Sequence, residues 1–507
     1  MKVPPPNALH PFDEGGVRRG ADGIKQYVNL PSSVVELLRS RVEATPLREA
    51  VVVLDGPRAN YRELWDAAAR VAGGLREAGV GRGDRVAIRH GNSLEWVQAF
   101  LGTMMAGAAA VPVNTRLTEA EASYVITDSV ARMVLAPGDP LPDGRPYAAD
   151  DLELADLAAI FYTSGTTGFP KGAMTSHGNF VTSVENGVRV ADVPRDDESV
   201  RTLVSVPLFH VAGCNNQLLP SIQEGGTTVV MSAFNADRFL RAIREERIRI
   251  VASVPAIYWN VLSRDDISDH DLSRIGWATY GGAPIAPSLV HRIKKVFSEA
   301  RVGNGFGLTE TASLSTFLPD EWAYTHAESV GFAAPTVDLA LDHVPGRDAS
   351  GVGELLIRGA NVVGGYWQRP DATEAAFRDG WLRTGDLARI DDEGRVYLVD
   401  RIKDMINRGG ENVYSVEVEN VLAAAPGVFE VVVVGVPDEM MGEKVGAVVV
   451  PVPGETFDGE AVLAYARERL ADFKVPQYLR VQTEPLPRNP GGKVVKPLVR
   501  EQQGWTT

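Results

Sequence analysis

Short apolar runs alternate with amphipathic helical stretches across most of the first 300 residues, and this rhythm limits the fold more than any other feature. AVVVLDG (residues 50–56) is an apolar run that ends in a turn, as a buried strand does. YRELWDAAARVAGGLREAGV then repeats apolar residues at helical spacing, and GDRVAIRHGNS returns to a strand. HGNSLEWVQAFLGTMMAGAAAVPVN gives a helix and a strand, and RFLRAIREERIRIVASVPAIYWNVL gives helix, strand and helix. Strands joined through helices pair in parallel and bury both sheet faces, so the pattern predicts an α/β fold with a largely parallel sheet.

The character changes near Asp338. GELLIRGANVVGGYWQRP and GRVYLVD are short strands separated by glycine turns, which predicts a small β-rich subdomain. After Asp400 the pattern resets to helix, strand, strand and helix in VEVENVLAAAPGVFEVVVVGVPDEMMGEKVGAVVVPV and EAVLAYARERLADFKVP. The expected division is an irregular arm over 1–32, a large unit over 33–400 and a small α/β unit over 401–507, with the boundary inside VDRIKDMINRGG. Lys and Arg number 51 against 66 Asp and Glu, and no basic stripe stands out, so nucleic acid is not an expected partner. The single cysteine, Cys214, rules out an intrachain disulfide framework and suits a reducing compartment. The N-terminus carries prolines and acids where a secretory signal needs an apolar core, and no apolar run approaches the roughly 20 residues of a spanning helix. A cytoplasmic protein without a membrane span is expected.

Residues 163–172 read TSGTTGFPKG. Glycines let backbone N–H groups turn inward and approach a ligand closely, and successive amides in such a turn form an anion-binding concavity. Thr163, Ser164, Thr166 and Thr167 add hydroxyl donors beside Gly165 and Gly168, and Lys171 adds a mobile positive charge. The stretch is suited to a triphosphate. It is not the Walker pattern, because Pro170 stands where that pattern has a glycine before the lysine.

TSGTTGFPKG resembles the phosphate-loop signature of the adenylate-forming superfamily, which contains acyl-CoA synthetases, adenylation domains of peptide synthetases and luciferases. Further stretches match in order. VPLFHVAG (206–213) is similar to the segment whose histidine or aromatic residue borders the carboxylate substrate. The resemblance implies that His210 and Phe209 are acyl-pocket wall and gate rather than proton-transfer groups. YGGAPI (280–285) resembles the adenine-contacting turn, implying that Gly282 and Ala283 touch the nucleotide and Gly281 the acyl group. NGFGLTET (304–311) implies that Phe306 packs on adenine, Gly305 lines the acyl pocket, Thr309 meets the α-phosphate and Glu310 holds Mg²⁺. A flat apolar ring stacks on a base, and a hard cation favours carboxylate and phosphate oxygens.

WLRTGDL (381–387) places Asp386 after a glycine turn, where an ionised carboxylate can accept from ribose hydroxyls. DRIKDMINRGGENVYS (400–415) resembles the interdomain segment, which implies Arg401 on the ribose, Lys403 as the hinge, and Gly409 and Gly410 along a thiol tunnel. LPRNPGGKVVK (486–496) looks like the loop with the family's catalytic lysine, here Lys493. Met441 departs from the aromatic or basic residue that many members carry on the CoA side.

The resemblance, over roughly residues 33–500, implies a two-step ligase. A carboxylate attacks the α-phosphorus of ATP and expels pyrophosphate. The acyl-adenylate then passes to CoA while the small unit turns about Lys403. An apolar pocket lined by Val211, Ala212, Cys214 and Tyr258 besides the residues above suits a hydrophobic monocarboxylic acid: fatty, aryl or alicyclic. Two alternatives stay open at this point: transfer of the acyl group to an amine or a carrier-protein thiol, and nucleotide binding without turnover. The assembly, monomer or homodimer, also stays open.

Overall fold

The structure is a computed structural model that describes residues 1–5, 8–163, 170–344, 351–454, 456–489 and 493–506. Among these residues the strands form five sheets. The largest has nine strands, and its centre is parallel: Arg301–Phe306, Trp277–Gly281, Ile250–Ser253, Arg201–Val204, Thr227–Val230 and Glu49–Val53 lie side by side in that order. Antiparallel strands close both ends, with Thr316–Leu318 and Phe332–Ala333 on one side and Arg58–Asn60 on the other. A second sheet runs Met133–Leu135, Arg85–Ile88, Ala109–Pro112 and Leu157–Thr163 in parallel and ends in the antiparallel strand Lys171–Ser176.

Helices between these strands supply the cover that parallel sheets need. Tyr61–Glu77 starts at a capping box in which Asn60 and Glu63 satisfy each other's backbone N–H groups, and its buried stripe includes Leu64, Ala68, Ala72 and Leu75. Leu94–Met105, capped by Ser93, is almost wholly buried against it. In the shared core Trp96 stacks on Phe100, which meets Phe180 edge to face. The α/β class expected from the alternation is the one observed.

The β-rich stretch is an antiparallel sheet of Val337–Asp342, Val352–Gly359, Trp381–Ile390 and Phe377–Arg378, with Val396–Arg401 paired to Trp381–Ile390. Beyond it, Ile406–Arg408, Glu411–Val413, Val428–Asp438, Gly442–Pro451 and Tyr478–Val481 form a further sheet. That sheet has cores of its own, around Val433, Val445 and Leu422 on one face and Val434, Val448 and Trp505 on the other.

The N-terminal stretch differs from the irregular arm expected. Val17–Arg19 pairs with Lys25–Tyr27 as a hairpin. It is tied down by the Arg19–Asp338 ion pair and by Tyr27, whose hydroxyl donates to Asn186 Oδ1. Such short, charged strands leave no alternating apolar signature to read. No helix among the described residues is long and apolar enough to cross a membrane.

Candidate active site

In open parallel sheets, loops leaving the carboxyl ends of strands build the ligand crevice. Three sequence motifs sit at such ends. His210 follows Arg201–Val204, Gly282 and Ala283 follow Trp277–Gly281, and Thr309 and Glu310 follow Arg301–Phe306. In the pairing of Trp277–Gly281 with Arg301–Phe306, Gly281 lies opposite Gly305. A Cβ on Gly281 would sit 2.2 Å from the Gly305 carbonyl oxygen, so backbone proximity alone demands glycine there. Gly282 has φ +77° and, with Ala283, is exposed at the strand end. Phe306 is half-buried against the cluster containing Leu314 and Phe317.

The phosphate-type loop joins two antiparallel strands, and Thr163 pairs with Lys171 across its base. Ser164, Gly165, Thr166, Thr167 and Gly168 lie outside the described residues. The Lys171 ammonium stands 5.1 Å from the centroid of the Tyr366 ring. The Tyr366 hydroxyl donates to Glu310 Oε1 over 2.7 Å. Burial, reinforced by the Glu310 charge, pushes the Tyr366 phenol well above its usual range, so it stays a donor. Two further bonds fix this bridge: the Trp367 N–H donates to the Gly172 carbonyl at 2.8 Å, and the Val363 N–H to the Glu310 carbonyl at 2.9 Å. Sequence reading missed Tyr366. The GGYW glycine turn was visible, but only the fold shows which carboxylate the tyrosine reaches.

The short 3₁₀ turn Thr309–Thr311 is held from behind. Asn361 Nδ2 donates to the Thr311 and Leu314 carbonyls, and Ser183 and Asn215 donate to the Ala312 carbonyl. Ala312 and Ser313 have φ of 49° and 110°, a conformation that costs non-glycine residues free energy and persists only where surroundings enforce it. The turn that carries Thr309 and Glu310 is thereby held at the carboxyl end of Arg301–Phe306, with both residues half-buried.

Asp386 and Arg401 face each other on paired strands, with Arg401 Nε 2.8 Å from Asp386 Oδ1. Asp386 is buried, and its Oδ2 has no hydrogen-bond partner among the described residues. Burial pushes this carboxyl above the usual aspartate range, while Arg401 and Lys493 pull it back down. A buried acceptor left open is costly unless something arrives to donate to it. A ribose hydroxyl would satisfy it, so the residues present fit a nucleotide.

Lys493 comes from the C-terminal sheet unit, yet its ammonium lies among groups of the preceding strands. Burial lowers it from the ordinary lysine range and nearby Arg401 lowers it further, while Asp386 and Glu310 oppose both. The residue nonetheless keeps much of its surface open to solvent. The same ammonium, after burial, helps hold His210 down at about 4, so this imidazole is neutral near pH 7. The structure therefore brings Lys493, Glu310, Asp386, Arg401 and His210 into one electrostatic neighbourhood. The Phe209 and His210 rings lie 4.8 Å apart beside it.

Other expected residues sit elsewhere. Tyr258 is fully buried, and its hydroxyl donates to the Val251 and Thr279 carbonyls, which makes it a tie within the core instead of a pocket wall. Cys214 is also fully buried, at the start of a π-helical turn, and burial pushes its thiol up. Lys403 is exposed just beyond the Asp386–Arg401 pair, its ammonium lowered by partial burial and by neighbouring cations. Gly409 turns a hairpin with φ +61°, and its contacts are with Met441, whose carbonyl accepts its N–H at 2.7 Å. Asp400 is buried next to the junction and accepts from the Ser415 N–H and hydroxyl. Lys496 donates to that hydroxyl at 2.6 Å and pairs with Glu419 at 2.9 Å. Burial drives the Asp400 carboxyl up to about 6 against these donors.

The described residues contain no cluster of three or more His, Cys, Asp or Glu able to hold a metal by themselves. Glu310 uses Oε1 for Tyr366, which leaves Oε2 for a cation. This fits Mg²⁺, which keeps few protein ligands and takes the rest from phosphate and water.

The family model for AMP-binding enzymes matches residues 38–152 and 136–367, and that for the AMP-binding enzyme C-terminal domain matches residues 417–493. A feruloyl-CoA synthase from Amycolatopsis sp is 37% identical over 497 residues, covering 94% of this chain and 99% of that protein. The long-chain-fatty-acid–CoA ligase FadD13 of Mycobacterium tuberculosis is 36% identical over 507 residues, covering 93% and 98%. Among solved structures, o-succinylbenzoate CoA synthetase (MenE) from Bacillus subtilis in complex with the acyl-adenylate intermediate OSB-AMP superposes with a TM-score of 0.83 at 28% identity, covering 92% of this chain and 97% of that one. ATP-bound MatB from Rhodopseudomonas palustris gives 0.84 at 30% identity, covering 93% and 98%.

Proposed function

We infer, for a chain that belongs to the AMP-binding enzyme family and is an acid–CoA ligase, that its acid is a hydrophobic monocarboxylate: fatty, aryl or alicyclic. The enzyme activates a carboxylic acid with ATP, releases pyrophosphate and passes the acyl group to CoA. What supports the residue assignment is the pairing of Arg401 with Asp386 at 2.8 Å, together with the charge neighbourhood that Lys493, from the C-terminal unit, shares with Glu310, Asp386 and His210.

In the first step a carboxylate oxygen attacks the α-phosphorus of ATP, and the bond to pyrophosphate breaks. Lys493 places positive charge where the carboxylate meets the phosphate, and Thr309 offers a hydroxyl to the same oxygens. Both act by positioning and charge stabilisation, not as nucleophiles. Asp386 and Arg401 hold the ribose, Phe306, Gly282 and Ala283 receive the adenine, and Thr163, Lys171 and the intervening loop hold the leaving pyrophosphate. Glu310, steadied by Tyr366, would hold Mg²⁺, which when bound would supply positive charge against the phosphates. Neutral His210 and Phe209 wall the acyl group, with Gly281 and Gly305 leaving room beside it.

In the second step the CoA sulfur attacks the acyl carbonyl, the thiol proton is lost and AMP departs. Residues 33–400 act as the nucleotide- and acyl-binding unit, and residues 401–507, turning about Lys403, exchange Lys493 for the face carrying Gly409. A lone, buried cysteine suits a reducing cytoplasm.

A panel of carboxylic acids, read by pyrophosphate release with and without CoA and by mass spectrometry of the product, tests this function. Acyl-CoA from apolar monocarboxylates is the expected result. Preference for a dicarboxylate would overturn the substrate class, and amide formation from an amino acid without CoA would overturn the acceptor.

A further inference from the structure

Lys493 reaches the crevice at the end of a loop, and a long, flexible cation needs support to be placed there. Its loop is pinned locally. The Lys493 N–H donates to Asn489 Oδ1 at 2.9 Å, the Asn489 N–H donates to the Lys493 carbonyl at 2.8 Å, and Arg488 pairs with Val494 as an isolated bridge. Arg488 in turn forms an ion pair with Glu430, on the strand Val428–Asp438.

That strand has an irregularity at this point. Val428 pairs with Pro451 and Glu430 with Val450, so Phe429 is the extra residue of a bulge. Bulges re-aim the side chain they carry. Phe429 is 39% exposed, unusual for an aromatic ring in such an apolar strand. Its ring meets the edge of Trp259 with centroids 4.6 Å apart and planes at 85°. Trp259 belongs to the helix Pro255–Leu262, which follows a central strand of the nine-stranded sheet, next to the strand that ends at Gly281. One bulge therefore carries two adjacent connections: Phe429 outward to the large unit, and Glu430 inward to the loop that presents Lys493.

We propose that Trp259 and Phe429 form an aromatic latch that sets the depth of Lys493 in the crevice during adenylation. The proposal rests on the assignment of Lys493 to that step. Trp259 and Phe429 touch no reacting atom; they are positioning residues acting through Glu430, Arg488 and the lysine loop. An edge-to-face ring pair is a favourable and geometrically defined contact, yet weak enough to be broken in each cycle. Its loss should matter to the half-reaction that uses Lys493 and not to the one from which Lys493 is withdrawn.

The test measures the two half-reactions separately in the full-length enzyme: single-turnover pyrophosphate release from ATP and acid, and thioester formation from supplied acyl-adenylate and CoA. Phe429→Ala and Trp259→Leu are each expected to slow adenylation roughly two- to tenfold, the range such a pair is worth, and to leave thioester formation at or above the wild-type rate. Phe429→Tyr, which keeps the ring, should retain adenylation. Combined with Lys493→Ala, Phe429→Ala should add no further loss, because the group it positions is gone. Intact thioester formation shows that the variants are folded. Equal losses in both half-reactions, or full additivity with Lys493→Ala, would overturn the latch. A Lys493→Ala enzyme that is slow in adenylation beside a Phe429→Ala enzyme that is not would overturn the latch alone. Adenylation untouched by Lys493→Ala would overturn the lysine assignment and the latch with it.

Discussion

Replacing Asp386 by Asn changes one atom at the centre of the proposed nucleotide grip. In the wild-type chain Oδ1 is engaged by Arg401 Nε at 2.8 Å, and Oδ2 is buried with no partner among the described residues. An amide keeps one oxygen. If Arg401 retains it, the NH₂ group faces the ribose, and one hydrogen bond to a charged acceptor is lost. Such a bond is worth about 1.5–3 kcal/mol, which is about ten- to a hundredfold in affinity. Ribose chemistry does not change along the reaction, so the loss is uniform: KM for ATP should rise by that factor while kcat and KM for CoA stay near wild type. Steady-state pyrophosphate release with ATP and with 2′,3′-dideoxy-ATP measures this. Wild type should discriminate strongly between the two nucleotides, and the Asn variant should treat them almost alike. Burial raises the Asp386 carboxyl, so KM for ATP in wild type should also climb toward acid pH, and the variant should lose that limb. A variant with wild-type KM that still discriminates against the dideoxy nucleotide would refute the grip.

Two further outcomes are expected. Tyr366→Phe removes the donor to Glu310 Oε1 but keeps the ring under Lys171, so the Mg²⁺ concentration for half-maximal adenylation should rise by about ten- to a hundredfold, the worth of a hydrogen bond to a charged group, with KM for ATP little changed; an unmoved Mg²⁺ titration would show that the tyrosine does not steady the carboxylate. Asp400 takes up its proton at about 6 in the folded chain, above its ordinary 3.8, so the native state holds more protons between those values; the stability this contributes is full below about pH 4 and is lost as pH rises through about 6, at about 1.4 kcal/mol per pH unit, and the stability of wild type relative to Asp400→Asn in urea unfolding should fall accordingly, a flat difference from pH 4 to 7 refuting it.

The layer order was legible because parallel strands are apolar on both faces and their crossover helices are amphipathic. Leu94–Met105 and Tyr61–Glu77 stand where the periodicity puts them. Strand order was not legible. Glu49–Val53 lies beside Thr227–Val230, a pairing that no local pattern specifies. Asp386 and Lys493 could be singled out because the stretches around them, WLRTGDL and LPRNPGGKVVK, resemble segments of the family. Tyr366, Trp259 and Phe429 could not, since each matters through a partner far away in the chain. Tyr258 misled for the complementary reason: an aromatic near a pocket motif reads as a wall until its hydroxyl is seen tying two core carbonyls together.

Asp386 and Arg401 occupy the final rungs of their ladder, and the Ile402 N–H bond to Gly385 O at 3.0 Å is the last tie before Lys403. The pivot proposed at Lys403 therefore falls immediately downstream of the proposed clamp. On that reading the workpiece can stay fixed in its vice while the tool above it is swapped, so a swing large enough to withdraw the Lys493 ammonium need not disturb the acyl-adenylate.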